Sequence, residues 1–258
     1  MKTVKIDLPI DIKELELVPF ADLHIGDAQC DYELIKERID HVKNTPNAYC
    51  VLNGDIINNA TKTSVSDSYG ETLSPMEQIT KFVELFEPIK DKILAITSGN
   101  HENRTYIREG INITEVCARQ LGLSKRFASE GIVIFLRFGQ QGRHYHNRKM
   151  VYVIYMTHGS GGGRKEGSKA NRLAEMSSII DADIYIHSHT HLPLTFKNSY
   201  FRTDVRNSRV EIVDQLFVNT SATLNFGGYS QSFEFKPASK DTPTIWLSGT
   251  KRQFRATL

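Results

Sequence analysis

Histidines stand at three alternate positions, His187, His189 and His191, where the β-prone run Ile184–His187 gives way to a polar turn. Side chains of an extended segment alternate between faces, so the spacing predicts that all three imidazoles point the same way. Such a row binds metal if further ligands converge on it. Three histidines on one zinc and a His-x-His pair divided between two metals are both workable arrangements. The stretch alone leaves that choice open.

Four other places carry residues of the same kind. Asp22 and His24 follow an apolar run, Asp55 ends Asn53-Gly54-Asp55, and Asn100 and His101 lie within Ser98-Gly99-Asn100-His101-Glu102. His158 precedes the glycine-rich stretch 159–163. In α/β folds the carboxyl ends of strands are where ligands bind, because the loops there converge on one crevice. The three cysteines, Cys30, Cys50 and Cys117, are scattered and lack a Cys-x-x-Cys spacing. They read as reduced structural thiols of a cytoplasmic protein. A metal site must then be assembled from His, Asp and Asn. That mixture suits Mn, Fe, Zn or Co better than Mg or Ca, which prefer all-oxygen shells.

The elements that would present these loops alternate along the chain. Apolar runs predict strands at Glu14–Phe20, 49–52, Ile93–Thr97, Ile132–Phe138, 150–157 and Ile184–His187. The fourth and fifth are expected to form a hairpin across the polar segment 139–149. Asp31 can cap a helix with Leu34, Ile35, Ile39 and Val42 on its apolar face. Ser74-Pro75-Met76-Glu77 is a capping box with proline at the first helical position, followed by Ile79, Phe82, Val83 and Phe86 at helical spacing. Helices are also expected over 103–121 and over 169–180, the latter with Leu173, Met176, Ile179 and Ile180 inward. The polar loop 56–71 is long enough to overhang a site. Beyond 194 the chain reads as short β segments and turns. No repeat or Pro/Gly/Ser-rich linker divides it, so one domain over 1–258 is expected.

With 258 residues, 40% hydrophobic and 24% charged, the chain can bury a sizeable core. A net charge of +2 marks neither a nucleic-acid nor a membrane partner. No apolar run reaches membrane-spanning length, and the N-terminal residues lack the apolar stretch of a signal peptide. Gly162 to Gly167 has the spacing of a phosphate-binding loop, but Ser168-Lys169 reverses the required order and excludes it. His144-Tyr145-His146 lies in a polar hairpin connection and reads as a solvated turn. His41, in the last turn of the first helix, needs no role beyond interaction with that helix end.

As an ordered set, Asp22-x-His24, Gly54-Asp55, Gly99-Asn100-His101-Glu102, His158 and His189-x-His191 resemble the five motifs of the calcineurin-like metallophosphoesterases. The resemblance runs from Asp22 to Pro193. It implies an α/β fold, a two-sheet β-sandwich flanked by helices in four αββα layers, with 194–258 completing the sandwich. It implies two divalent metal ions, Mn before Zn or Fe. Asp22, His24 and His191 would hold one; Asn100, His158 and His189 would hold the other. Asp55 would bridge them beside a water or hydroxide that attacks phosphorus in line. Metals about 3.5–4 Å apart neutralise phosphate oxygens and lower the pKa of water. His101 would be the catalytic histidine, hydrogen-bonded to a phosphoryl oxygen and assisting the leaving alkoxide.

The sequence departs from that pattern in two places. Asn58 stands where phosphoprotein phosphatases carry an Asp that orients the catalytic histidine, and their following Arg is missing. An amide cannot stabilise an imidazolium as a carboxylate does. Protein phosphatase activity is therefore disfavoured, and a phosphodiester or nucleotide is expected as substrate, with nuclease or phosphomonoesterase activity as alternatives. Asn58, Arg104 and Arg164 are the candidate substrate contacts. Ser188 stands where the family usually has glycine before His-x-His. Two rivals belong to other classes. A non-catalytic metal-binding scaffold would be expected to have lost ligands, and none of the seven is missing. A mononuclear zinc site of His187, His189 and His191 leaves Asp55, Asn100 and His158 unexplained. With two metals, His187 becomes a packing residue behind the site.

Overall fold

The computed structural model describes residues 1–62, 64, 68–140, 148–161 and 163–258. His144, His146 and Gly162 lie outside the described residues. In chain order the first strands are β1 (Lys2–Asp7), β2 (Glu14–Phe20), β3 (Ala48–Asn53), β4 (Ile93–Thr97), β5 (Phe127–Ala128) and β6 (Ile132–Phe138). They are followed by β7 (Met150–Met156), β8 (Ile184–His187), β9 (Leu194–Asp204), β10 (Arg209–Asn219), β11 (Thr244–Ser248) and β12 (Phe254–Thr257). Five helices of two or more turns accompany them among the described residues: α1 (Tyr32–Asn44), α2 (Pro75–Phe86), α3 (Asn100–Glu109), α4 (Ile113–Gln120) and α5 (Glu166–Glu175).

Two mixed six-stranded sheets result, ordered β1-β6-β7-β8-β10-β9 and β12-β11-β2-β3-β4-β5. Alternation along the strands decides what each face meets. In β2, Leu15 and Leu17 point to the other sheet, where Ile134, Leu136, Ile154, Ile186 and Val218 complete a core between the sheets. Val18 and Phe20 point the opposite way, onto Ile35 and Ile39 of α1, Phe82 and Phe86 of α2 and Cys117 of α4. On the far side, Tyr155, Tyr185 and Phe217 of the first sheet pack under Leu173 of α5 and Met176 just beyond it. Three cores between four layers give the expected αββα sandwich. Each core removes contiguous apolar faces from water, the main favourable term in folding.

Caps fall where the sequence placed them. Asp31 accepts a hydrogen bond from the Leu34 N–H at 3.1 Å, and Ser74 opens α2 with a capping box to Glu77. His41 meets Glu16 at 2.8 Å. Cys30, Cys50 and Cys117 are buried and form no disulfide.

Several boundaries differ from expectation. The single helix over 103–121 is two helices, because Gly110 ends α3 at φ 70° and Asn112 caps α4 through the Glu115 N–H. Moreover, α3 starts at Asn100, which puts Asn100, His101 and Arg104 in its first turns. The helix expected over 169–180 begins earlier, at Glu166, and stops at Glu175; a tight turn follows and leaves Ile179 60% exposed. The last sixty residues are not all short segments: β9 and β10 have 11 residues each. Lys2–Asp7, unread as a strand, pairs in parallel with β6 at the sheet edge. No helix among the described residues is long and apolar enough to cross a membrane.

Candidate metal centre

The five loops leave the carboxyl ends of β2, β3, β4, β7 and β8 and meet at the seam of the two sheets. The backbone does unusual work there. Asp22, His24, Asp55, His189 and His191 adopt positive φ values of 50°, 48°, 48°, 65° and 53°, a region that disfavours residues with a Cβ and persists only where surroundings enforce it. Five of the seven expected ligands are thus turned by strained backbone. Neighbouring loops enforce it through hydrogen bonds: Asp22 N–H to Gly54 O (3.1 Å), His24 N–H to Asp55 O (3.0 Å) and Ser188 N–H to His158 O (3.1 Å). The His189 N–H donates to Asp22 Oδ2 at 3.1 Å, tying β8's loop to that of β2 across the seam.

Two glycines allow this crowding. Gly54 has φ 77°, and a Cβ there would meet His158 Nδ1 at 2.6 Å and Gly99 Cα at 2.7 Å. A Cβ on Gly99 would strike Asp55. Only bare backbone lets the Asp55 and Asn100 loops approach so closely.

The ligand atoms fall into two groups. Asp22, His24 and His191 offer atoms within 4.8 Å of one another, and so do Asp55, His158 and His189. A third set, His24, Asp55 and His101, overlaps both, which puts Asp55 between the groups. Asn100 joins the second group, its Oδ1 lying 3.1 Å from His158 Nε2 and 2.8 Å from His189 Nδ1. His158 Nε2 is 3.2 Å from Asp55 Oδ2, and His191 Nε2 is 3.1 Å from Asp22 Oδ1. His24 Nε2 is buried with no hydrogen-bond partner among the described residues. An orphaned buried polar atom is costly unless something accepts its lone pair. A divalent cation would do so, and the His, Asp and Asn set around it fits a borderline transition metal.

Electrostatics point the same way. Burial pushes the Asp55 carboxyl up, but His158, His101 and His24 outweigh it and hold Asp55 well below the usual carboxylate range. Burial likewise raises Asp22 while His191 and His158 lower it, with a net downward shift. Burial lowers His158, yet Asp55 and Asp22 prevail and push it up to about 10. His24 is pressed well below the ordinary histidine value by burial and by His101. Two ionised carboxylates among four histidines give a pocket built for compact positive charge.

Supporting contacts fix the orientations. His158 Nδ1 donates to Asn53 O at 2.7 Å, which leaves Nε2 facing the site as a lone pair when neutral. Glu102, 1% exposed, accepts from the N–H groups of Asp55 (3.1 Å), Ile57 (3.0 Å) and Gly99 (2.8 Å). One carboxylate therefore pins the Asp55 loop to the start of α3. Burial and Asp55 raise its pKa to about 7. The Asn53 side chain accepts from Thr97 Oγ1 at 2.8 Å and donates to Ser188 Oγ at 2.7 Å, while Thr220 Oγ1 donates to Ser188 Oγ at 2.9 Å. The serine that replaces glycine is thus a buried hydroxyl joining the two sheets. Glu102, Asn53 and Asn219 had no assigned role in the sequence reading; a polar residue closing an apolar strand, as Asn53 and Asn219 do, is the signal that marks two of them.

His101 lies against His24, with ring centroids 4.4 Å apart, and its Nε2 is 3.8 Å from Asp55 Oδ2. Its Nδ1 donates to the Asn58 backbone carbonyl at 2.7 Å. The Asn58 side chain instead donates to Glu71 Oε1 at 3.2 Å, so Asn58 orients the histidine through its main chain. Arg104 Nη2 donates to His101 Nε2 at 3.0 Å. Burial lowers the His101 pKa, and Arg104 adds to this against Asp55 and the Asn58 carbonyl. His187 stands apart from both ligand groups, its Nδ1 2.8 Å from Asn219 Oδ1. Arg164 is also outside the cluster: it donates to Phe233 O at 3.3 Å and lies over the Phe235 ring.

No curated protein matches the sequence. Similar solved structures include a metallophosphoesterase from Sphaerobacter thermophilus, with TM-score 0.41, 10% identity and coverage of 93% of this chain and 89% of that one. Vps29 from Entamoeba histolytica, complexed with zinc, gives 0.38, 12%, 91% and 86%. The nuclease MPE of Pseudomonas putida gives 0.37, 10%, 93% and 87%. Likenesses this distant transfer no substrate or partner. A model of the family described as calcineurin-like phosphoesterase matches residues 20–193, more than half the chain and all five site loops. By that match the chain belongs to the calcineurin-like phosphoesterase family.

Proposed function

We propose that the protein is a two-metal phosphoester hydrolase acting on a phosphodiester or a nucleotide. The observation that carries this is the pair of ligand groups joined by a third set, His24, Asp55 and His101, together with the buried His24 Nε2 that has no hydrogen-bond partner among the described residues. Asp22, His24 and His191 would hold one divalent ion, Asn100, His158 and His189 would hold the other, and Asp55 would serve both. Such a pair, manganese first among manganese, zinc and iron, supplies Lewis acidity at phosphorus and a water of lowered pKa.

The chain's own groups do the rest. His101, neutral and with its Nδ1 proton committed to Asn58 O, presents Nε2 to the substrate side. Arg104 donates to that Nε2 before substrate arrives. A phosphoryl oxygen is the stronger acceptor for guanidinium, so Arg104 shifts onto it and exposes Nε2, which takes a proton from solvent and passes it to the leaving oxygen. Missing the protein-phosphatase Arg, the site favours substrates recognised beyond the phosphate itself.

A manganese-supplemented comparison of bis(4-nitrophenyl) phosphate with 4-nitrophenyl phosphate tests this directly. Turnover of the diester is expected to exceed that of the monoester and to vanish with chelator. Metal-loaded protein inert on both esters and on nucleotides would leave a binding scaffold, not an enzyme.

A further inference from the structure

Beyond β10 the chain leaves the sheet and runs along the edge of the metal centre. The Thr223 N–H donates to Asp22 O at 3.1 Å, and the Asn225 N–H donates to Gln29 O at 2.8 Å. Gly227 packs so tightly on Gln29 that a Cβ would lie 2.9 Å from its amide. Further on, Phe233 O accepts from Arg164, six residues past His158. The segment is therefore pinned at one end to the Asp22 loop and at the other to the loop that follows His158. Next to that loop, the Lys169 ammonium donates to Thr190 O, between His189 and His191.

What this segment presents is unusual. Phe226, Phe233 and Phe235 are 51%, 44% and 39% exposed, although large aromatics dominate the energetics of cores and interfaces. The Arg164 guanidinium lies 5.4 Å over the Phe235 ring. Among the described residues no carboxylate comes within ion-pair distance of it. Phenyl faces with an unneutralised guanidinium are the chemistry that takes a nucleobase and the phosphate attached to it. The sequence hides this grouping, because Arg164 and the three phenylalanines lie far apart along the chain.

We propose that Phe226, Phe233, Phe235 and Arg164 form a nucleoside-binding wall, so that the substrate is a nucleotidyl phosphodiester whose base stacks on Phe226 or Phe233. This rests on the reading of the adjoining site as a phosphoester hydrolase. Arg164 steadies Phe235 and supplies positive charge; the rings supply the stacking surface.

The test compares thymidine 5′-(4-nitrophenyl phosphate) with methyl 4-nitrophenyl phosphate, which share leaving group and charge and differ by the nucleoside. In the wild type, kcat/KM is expected to favour the nucleoside ester by about tenfold or more. In the double variant Phe226→Ala/Phe233→Ala the ratio of the two values is expected to fall by about tenfold, through KM of the nucleoside ester. A ratio unmoved by the double variant overturns the proposal. Binding of thymidine 5′-monophosphate in excess chelator, followed by equilibrium dialysis, separates this from the hydrolase reading. Binding that the double variant loses upholds the wall even where neither ester turns over. No binding to the wild type overturns the wall whatever the turnover. Thermal melts of the variant, run beside the binding assay, separate a loss of binding from a loss of fold.

Discussion

His158 feels two opposed influences, and their balance has a measurable consequence. Burial favours the neutral ring, but Asp55 and Asp22 keep the proton on up to about pH 10. Protonation between the ordinary histidine value and about 10 stabilises the metal-free fold below that window, and the stabilisation is lost as pH rises through it. Glu102 acts with the same sign one step lower. Its folded value near 7 lies above that of an unfolded glutamate, so stability falls as pH rises toward 7. Burial lowers His24, His101, His187 and His189, which act with the opposite sign below about pH 7. Chelated protein is therefore expected to melt at progressively lower temperature from about pH 7 to about pH 9; a flat profile there would remove the His158 shift. Metal reverses the upper part, because a coordinating imidazole must be neutral. At pH 7, calorimetric metal titration in buffers of different ionisation enthalpy should show about one proton expelled for the second group. His101 behaves otherwise. His101→Ala is expected to keep full metal content by elemental analysis and to lose about 10²- to 10⁴-fold in kcat. Unchanged turnover would take His101 out of the reaction.

At the scale of elements, the strand ends matter less than how closely their loops approach. Gly99→Ala is expected to cost about 1–3 kcal/mol in urea unfolding, because its Cβ lies where Asp55 sits, and to weaken metal binding along with stability. Ser188→Ala removes a hydroxyl that Asn53 and Thr220 share, and is expected to cost about 1–3 kcal/mol while leaving all seven candidate ligands in place. A Ser188→Gly variant as stable as wild type would show the hydroxyl to be dispensable. These two cases also divide what could be read from the sequence and what could not. The candidate ligands were legible because most follow an apolar run whose strand character is local, as Asp55 follows Val51-Leu52. Glu102 was visible only as a motif letter: its partners are three backbone N–H groups from two loops, and no side-chain pattern encodes those. The start of α3 at Asn100 was hidden for a related reason. Glu102 reaches back to the Gly99 N–H as a cap would, and simultaneously to a strand loop distant in sequence. The length of β9 and β10 escaped because their outer halves pair only with each other and carry exposed Phe201 and Ile212, so the polar-out alternation fails.

On the scale of the whole molecule, the candidate centre sits where the two sheets meet, and each ligand group draws on both. Asp22 and His24 come from the sheet containing β2, and His191 from the one containing β8. Asp55 and Asn100 belong to the former, His158 and His189 to the latter. Besides the core between the sheets, the seam there is held by neutral hydrogen bonds such as Asn53 to Ser188, each worth about 1 kcal/mol net, and by the contacts of His158 with Asp55 and of His189 and His191 with Asp22. Metal bound across it would thus be a clamp on the sandwich as well as a reagent. Ligand that binds only the folded state stabilises by about 2.7 kcal/mol for each site at a hundredfold excess over Kd. One kcal/mol moves Tm by about 2–4 °C in a domain of this size. Saturating manganese is expected to raise Tm by roughly ten degrees or more over chelated protein, since both sites contribute. Asp55→Asn should abolish most of that rise if Asp55 serves both ions as proposed, since it lies between the two groups. His187→Ala should keep the rise, because His187 belongs to neither. A shift that survives Asp55→Asn but disappears in His187→Ala would reassign the metal to the row of alternate histidines on β8 and its loop.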